Sequence, residues 1–280
     1  MRSLHRLAVL LPALVLAPAL APVAVAQDGL SITFLANEGV LLSGSTATGS
    51  GKVLIDGLFL KYGREFAVPA ESTQAVLRGA RPPFDAVDLL LVTHRHGDHF
   101  HPAPVAAHLR ANPRALLLTS RQVIDSLRSG AGSVALPERR VVARTLAPGR
   151  RRSALVNGIP VELLGLPHGG GRRHRGVEHL GYLVELGGRR VLHVGDAELS
   201  EATLAPFRLD TARVDVALLP WWALTDEETR RAVERWIRPR EIVAFHVSEG
   251  EAASVRREVG AAKPGARVFS RSLETLPTPP

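Results

Sequence analysis

The sequence predicts an α/β protein organised on buried strands. Residues 87–92, 214–219 and 241–245 are short apolar runs, and each gives way abruptly to polar or helix-breaking residues. Runs of that length read as strands covered on both faces. Between them lie segments with helix start and stop signals, so strands and helices alternate along most of the chain.

The chain opens on a processing segment. Arg2, His5 and Arg6 make a basic start, residues 7–20 are apolar, and Ala24-Val25-Ala26 fits a small-residue cleavage site. Pro12, Pro18 and Pro22 interrupt the apolar stretch, which favours a cleaved secretory signal over residues 1–26 rather than a membrane anchor. A periplasmic or secreted location follows as an expectation, with no stable membrane span once the signal is removed. No cysteine occurs anywhere in the 280 residues. That excludes a disulfide framework, a thiol nucleophile and thiolate ligands.

Residues 30–35 and 39–43 read as paired strands joined at Asn37-Glu38-Gly39, and 53–57 as a third. The small-residue stretch 44–51 between them reads as flexible. Asp56 ends the third strand as a turn former or a support for a ligand. One short helix is expected near 72–78, and another after Pro102 and Pro104. A strand at 115–119 and a helix at 121–128 follow, then strands at 141–146, 154–157 and 160–166. A polar, glycine-rich loop covers 169–178. Gly187-Gly188 turns a hairpin of 180–186 and 190–194. Thr225 and Glu228 fit a capping box opening a helix that stops before Pro239. A last helix is read at 251–259. No repeat or second compositional regime is visible, so residues 27–273 read as one domain and 274–280 as a flexible tail.

The chemistry concentrates in Thr93-His94-Arg95-His96-Gly97-Asp98-His99-Phe100, placed where the strand 87–92 ends. Three further ligand-type residues also stand at strand ends: His168, Asp196 and His246. Strand ends on one side of a sheet converge in space. Two metals could then be held, one by His94, His96 and His168, the other by Asp98, His99 and His246, with Asp196 between them. Imidazole and carboxylate donors without thiolate favour zinc, with manganese or iron as alternatives. His179 and His174 compete with His168 as third ligand, although His174 lies among arginines in a loop and reads as solvated. His193, inside a strand, reads as a hydrogen-bonded core residue or a support for a ligand rather than as a ligand. Asp56, Thr93 and Glu198 are candidates to hold the second ring nitrogens.

Thr-His-x-His-x-Asp-His after a strand resembles the signature of the metallo-β-lactamase-fold hydrolases. Val194-Gly195-Asp196 resembles that superfamily's Gly-Asp segment, and Ala244-Phe245-His246 its last ligand. The pattern looks closest to the ascorbate-lactonase-like branch. His168 lies in Leu166-Pro167-His168-Gly169-Gly170, a departure from the Gly-His-Ser/Thr context of true β-lactamases and glyoxalase II enzymes. The resemblance implies a four-layer αββα sandwich, two mixed β-sheets flanked by helices. It also implies hydrolysis by a metal-activated water, with Asp98 orienting the water or relaying a proton.

The expected activity is metal-dependent hydrolysis of a small ester, lactone, amide or phosphodiester. The alternatives are a nucleic-acid-processing enzyme of the same fold and a non-catalytic periplasmic metal-binding module. The formal charge of +8 could help attract an anionic small molecule. The basic residues are scattered apart from Arg150-Arg151-Arg152 and Arg172-Arg173-His174-Arg175, and no aromatics interleave them, so no nucleic-acid partner is expected. Arginines of the loop 169–176 could cover an anionic substrate, and Trp221 and Trp222 either wall a cleft or pack in the core.

Overall fold

The computed structural model describes residues 29–60, 63, 66–130 and 136–278. The expected signal segment lies outside them. Among the described residues no helix is long and apolar enough to cross a membrane.

Among the described residues, fourteen strands form two seven-stranded sheets. The first holds β1 (Leu30–Ala36), β2 (Gly39–Thr46), β3 (Gly49–Ile55), β4 (Leu89–Val92), β5 (Leu116–Thr119), β6 (Val141–Ala143) and β14 (Thr275–Thr278), in the order β14-β1-β2-β3-β4-β5-β6. The second holds β7 (Arg151–Val156), β8 (Ile159–Gly165), β9 (Leu180–Leu186), β10 (Arg189–His193), β11 (Val216–Pro220), β12 (Glu241–Phe245) and β13 (Arg267–Val268), in the order β13-β12-β11-β10-β9-β8-β7. Both sheets are mixed, with an antiparallel half and a parallel half. Helices α1 (Glu71–Arg78), α2 (Pro102–Ala111) and α3 (Arg121–Gly130) cover the first sheet. The second is covered by α4 (Glu201–Leu204), α5 (Trp222–Thr225), α6 (Glu227–Trp236) and α7 (Ala252–Ala262).

Side-chain alternation explains why the layers stack. In β4, Leu89 and Leu91 point between the sheets with Ile55, Leu163, Val184 and Phe245, while Leu90 and Val92 turn outward beneath Val105, Ile124 and Leu127. Both faces are therefore apolar, so the strand reads as an unbroken apolar run rather than an alternation. In the second sheet Leu192, Ala217 and Leu219 face Leu224, Val233 and Val255 in the same way. The result is the αββα order that the resemblance implies.

Two expectations about local structure need correction. Residues 44–51 are not a flexible spacer, because β2 and β3 stay paired from Val40–Ile55 out to Thr46–Gly49. Nor is 274–280 a free tail over its described part: β14 runs antiparallel to β1, and Leu276 is buried in the inter-sheet core. Pro277 fits there because β14 is an edge strand, which can spare one N–H. A smaller shift concerns the capping box. Thr225 is the last residue of α5, and Asp226 caps α6 instead by accepting the Thr229 N–H at 2.8 Å.

Candidate metal centre

One end of the sandwich collects the ligand-type residues. β4 runs parallel to β3, and β10, β11 and β12 run parallel to one another, so their last residues emerge on one rim. His94, Asp196 and His246 follow the ends of β4, β10 and β12, and His168 follows β8. The β1–β2 turn and the end of β3 add Asn37, Glu38 and Asp56 at the same rim. Asn37, Asp56 and His246 all adopt positive φ, of 52°, 45° and 60°. Left-handed backbone at non-glycine residues is costly and concentrates at functional sites. Gly195 has φ +59°, and a Cβ there would stand 2.7 Å from His179 Nε2 and 2.9 Å from Thr93 Cβ. The turn that aims Asp196 thus requires glycine.

The predicted ligands meet in two groups that share Asp196. His94, His96, His168 and Asp196 form one, and Asp98, His99, His246 and Asp196 the other. In the first, His94 Nε2 stands 2.9 Å from His96 Nδ1 and 3.2 Å from His168 Nε2, and His168 Nε2 stands 3.1 Å from His96 Nδ1. In the second, His99 Nε2 is 3.4 Å from Asp98 Oδ2 and 3.5 Å from Asp196 Oδ2. His246 Nε2 is 3.2 Å from Asp196 Oδ1 and 3.5 Å from Asp98 Oδ2.

Hydrogen bonding assigns the tautomers. Thr93 Oγ1 donates to Asp56 Oδ2 at 2.6 Å, so the same oxygen accepts from His94 Nδ1 at 3.0 Å. His99 Nδ1 donates to Asp56 Oδ2 at 2.9 Å, and His168 Nδ1 to the Gly169 carbonyl at 2.7 Å. In the neutral rings this leaves lone pairs on Nε2 of His94, His99 and His168. Two lone pairs facing each other across 3.2 Å, as in His94 and His168, repel unless a cation lies between them. Ligand atoms around a tetrahedral zinc with bonds of about 2.0–2.1 Å stand roughly 3.3 Å apart. The triad therefore fits a metal ion.

Electrostatics separate the two groups. Burial pushes His94, His96 and His168 below the usual histidine range, with His96 at about 4, so their nitrogens are free to ligate at neutral pH. In the metal-free chain burial also opposes charge on His99 and His246. There the Asp196 and Asp98 carboxylates overcome it, and His246 is pushed up to about 10. Burial works against ionisation of Asp98 and Asp196 too, but the neighbouring His99 and His246 hold both well below the usual carboxylate range.

The competing histidines separate clearly. His179 is buried near His94 and His168, with ring centroids 5.1 and 5.6 Å away, but belongs to neither group. His174, expected to be solvated, is half-buried and stacks on His168 at 4.5 Å. His193 donates from Nε2 to the Glu38 carbonyl at 2.9 Å and accepts the Gly195 N–H, as a core histidine should. Of the expected supports, Asp56 and Thr93 hold ring nitrogens, whereas Glu198 is exposed and reaches none. The tryptophans divide: Trp221 packs against the core, and Trp222, 39 % exposed, sets its ring 4.8 Å from His246. Phe66 meets the same histidine at 5.5 Å.

Asn37 and Glu38 were legible only as a turn. Asn37 Nδ2 donates to Asp98 at both the carbonyl and Oδ2, at 3.1 and 3.2 Å. Glu38 is buried against His99, with Oε2 3.8 Å from Nδ1, and neither of its carboxylate oxygens is hydrogen-bonded.

Comparison with known proteins bears on family and fold. The profile of the beta-lactamase superfamily domain matches residues 52–264. A UPF0173 metal-dependent hydrolase of Symbiobacterium thermophilum is 31 % identical over 188 residues, covering 62 % of this chain and 76 % of the relative. A UPF0173 metal-dependent hydrolase of Thermococcus kodakarensis is 26 % identical over 222 residues, covering 77 % and 83 %. Among solved structures, the metallo-beta-lactamase fold protein YhfI of Bacillus subtilis superposes with a TM-score of 0.58 at 12 % identity, covering 90 % of this chain and all of that one, a likeness of fold.

Proposed function

This chain belongs to the beta-lactamase superfamily, and on that premise we propose that it is an exported metal-dependent hydrolase acting on an ester, lactone, amide or phosphodiester bond. The observation that carries the reading is the pair of ligand groups sharing Asp196 at one rim of the sandwich. The superfamily relatives named as metal-dependent hydrolases support it. Export rests on the character of residues 1–26 alone.

His94, His96 and His168 would hold one ion, and Asp98, His99 and His246 a second, with Asp196 shared. Nitrogen and oxygen donors without thiolate suit zinc. Bound there, such ions supply Lewis acidity to a carbonyl or phosphoryl oxygen and make water available as a nucleophile near neutral pH. The protein supplies orientation and proton handling. Asp98, clamped by Asn37, would orient a water molecule and relay its proton. Asp56 holds His99 directly and His94 through Thr93, fixing both rings. Trp222 and Phe66 form an apolar edge beside His246.

The test is metal analysis of the purified protein, followed by a panel of ester, lactone, amide and phosphodiester substrates. Bound metal, and hydrolysis lost in His96→Ala and in Asp196→Ala, are expected. A protein that retains no metal, or hydrolysis unchanged in His96→Ala, defeats the proposal.

A further inference from the structure

A cavity of about 530 Å³ opens directly beside the histidine triad. Leu146 and Pro148 line one part of it, and His168, Arg172, Arg175 and His179 another. A larger cavity of about 600 Å³ lies at the opposite end of β12, around Glu241 and Arg267, and contains none of the metal-binding groups. The smaller one shares a wall with the metal centre, because His168 belongs to both. Its size is that of an ordinary small-molecule site.

Three features of this cavity point to an acidic ligand. Arg172 and Arg175 are exposed, and among the described residues neither guanidinium has an ion-pair or hydrogen-bond partner. Elsewhere on the same sheet, Arg151 and Arg190 are both paired with Glu162. The acidic side chains of the cavity do not pair with either arginine. Glu178 accepts the Gln122 N–H at 3.0 Å and lies 3.3 Å from Thr145 Oγ1, and Glu198 is exposed and forms no ion pair among the described residues. His179, 3 % exposed, also lines the cavity, and neither of its ring nitrogens has a partner. A neutral imidazole offers one donor and one acceptor nitrogen. A buried polar ring without partners is uncommon in a native structure and marks a place where a ligand or water completes the bonding.

We propose that this cavity is the substrate's acidic-group subsite. A carboxylate or phosphate on the substrate pairs with Arg172 and Arg175, and the scissile bond lies beyond His168 over the metal centre. The inference rests on the hydrolase reading for the word substrate, while the anion site itself stands on the cavity. Arginine suits the role because its planar fork meets carboxylate or phosphate oxygens in pairs. The loop geometry is favourable too: Gly170 and Gly171 at φ +79° and +68° start the turn that carries Arg172 and His174, and His174 is anchored by stacking on His168.

The test is calorimetric titration of the zinc-loaded full chain with acetate and with inorganic phosphate, the two arms separating a carboxylate preference from a phosphate one. Three proteins are compared: wild type, the double variant Arg172→Gln/Arg175→Gln, and Arg173→Gln. Arg173 sits in the same loop but does not line the cavity, so it controls for the general field. Binding of at least one anion to wild type is expected. It should weaken about tenfold or more in the double variant, as charge-assisted bonds require, and less than about twofold in Arg173→Gln. No binding to wild type overturns the proposal, as does equal binding in the double variant or an equal loss in Arg173→Gln. The hydrolase reading is tested separately with the same proteins on the substrate panel. Arginine-dependent anion binding without hydrolysis would leave the subsite standing and remove the hydrolase. Hydrolysis with arginine-independent binding would do the reverse.

Discussion

Asp56 accepts a hydrogen bond from Nδ1 of His99 at 2.9 Å and, through the Thr93 hydroxyl, also fixes Nδ1 of His94. One buried carboxylate therefore sets the tautomer of a ligand in each metal-binding group. It can do so because positive φ at Asp56 turns the chain back at the end of β3, which runs parallel to β4.

Asp56→Asn should weaken metal binding at both groups. The amide cannot accept from all of the Thr93 N–H, the Thr93 hydroxyl and His99, and it carries no charge to support either ring. Loss of such a partner usually lowers metal affinity about 10–100-fold. Chelator competition on the purified variant measures it. Affinities within twofold of wild type would show that Asp56 does not orient the ligands.

The two groups should differ in proton release on binding metal. His96, at about 4, is already neutral above about pH 5, so the triad binds with little proton release. His246, at about 10, and His99, held well above the usual histidine range by the Asp196 and Asp98 carboxylates, carry protons at pH 7 in the metal-free chain and must lose them to ligate. The second metal should thus release protons, and its affinity should rise as pH approaches about 10. Calorimetry in buffers of different ionisation enthalpy reads this directly. Equal, small proton release for both metals would contradict the asymmetry.

Glu38 predicts a pH dependence of stability. Burial, then the Asp196 charge, holds its carboxyl well above the ordinary 4.5, against the opposing pull of His99 and His246. The folded metal-free chain keeps this proton where the unfolded chain has lost it. Stability contributed by that group therefore falls as pH rises above about 4.5. Glu38→Gln removes the dependence. The melting temperature of the metal-free variant, relative to wild type, should climb between pH 4.5 and pH 8. A difference that stays constant across that range would mean the carboxyl ionises normally when folded.

Much of this arrangement could be seen before the fold was. β4, β11 and β12 were visible because helices cover one face and the other sheet covers the other, leaving no polar stripe to obscure them. The ligands were visible because they stand just beyond the ends of β4, β8, β10 and β12. Asn37 and Glu38 were not: a turn between two strands carries no sign that β1 ends on the same rim as β4. His174 looked solvated among arginines because its stacking partner, His168, is brought beneath it only by the glycine turn. The edge strand β14 was masked by prolines that an edge position tolerates.

Tyr182 links the two sheets directly below the metal centre. It is fully buried in β9, and its hydroxyl donates to the Val92 carbonyl at 2.7 Å, one residue before Thr93. Tyr182→Phe removes that bond but does not orphan the acceptor, because Thr119 Oγ1 also donates to the Val92 carbonyl at 2.7 Å. The expected cost is therefore that of one ordinary hydrogen bond, about 1 kcal/mol, rather than the larger penalty of an unsatisfied buried group. In a domain of this size that lowers the melting temperature by roughly 2–4 °C. Metal content should be unchanged, since Asp56 rather than Tyr182 orients Thr93 and His94. Thermal melting with parallel metal analysis checks both halves. Loss of metal at wild-type stability would mean that the tyrosine holds the site rather than the sandwich.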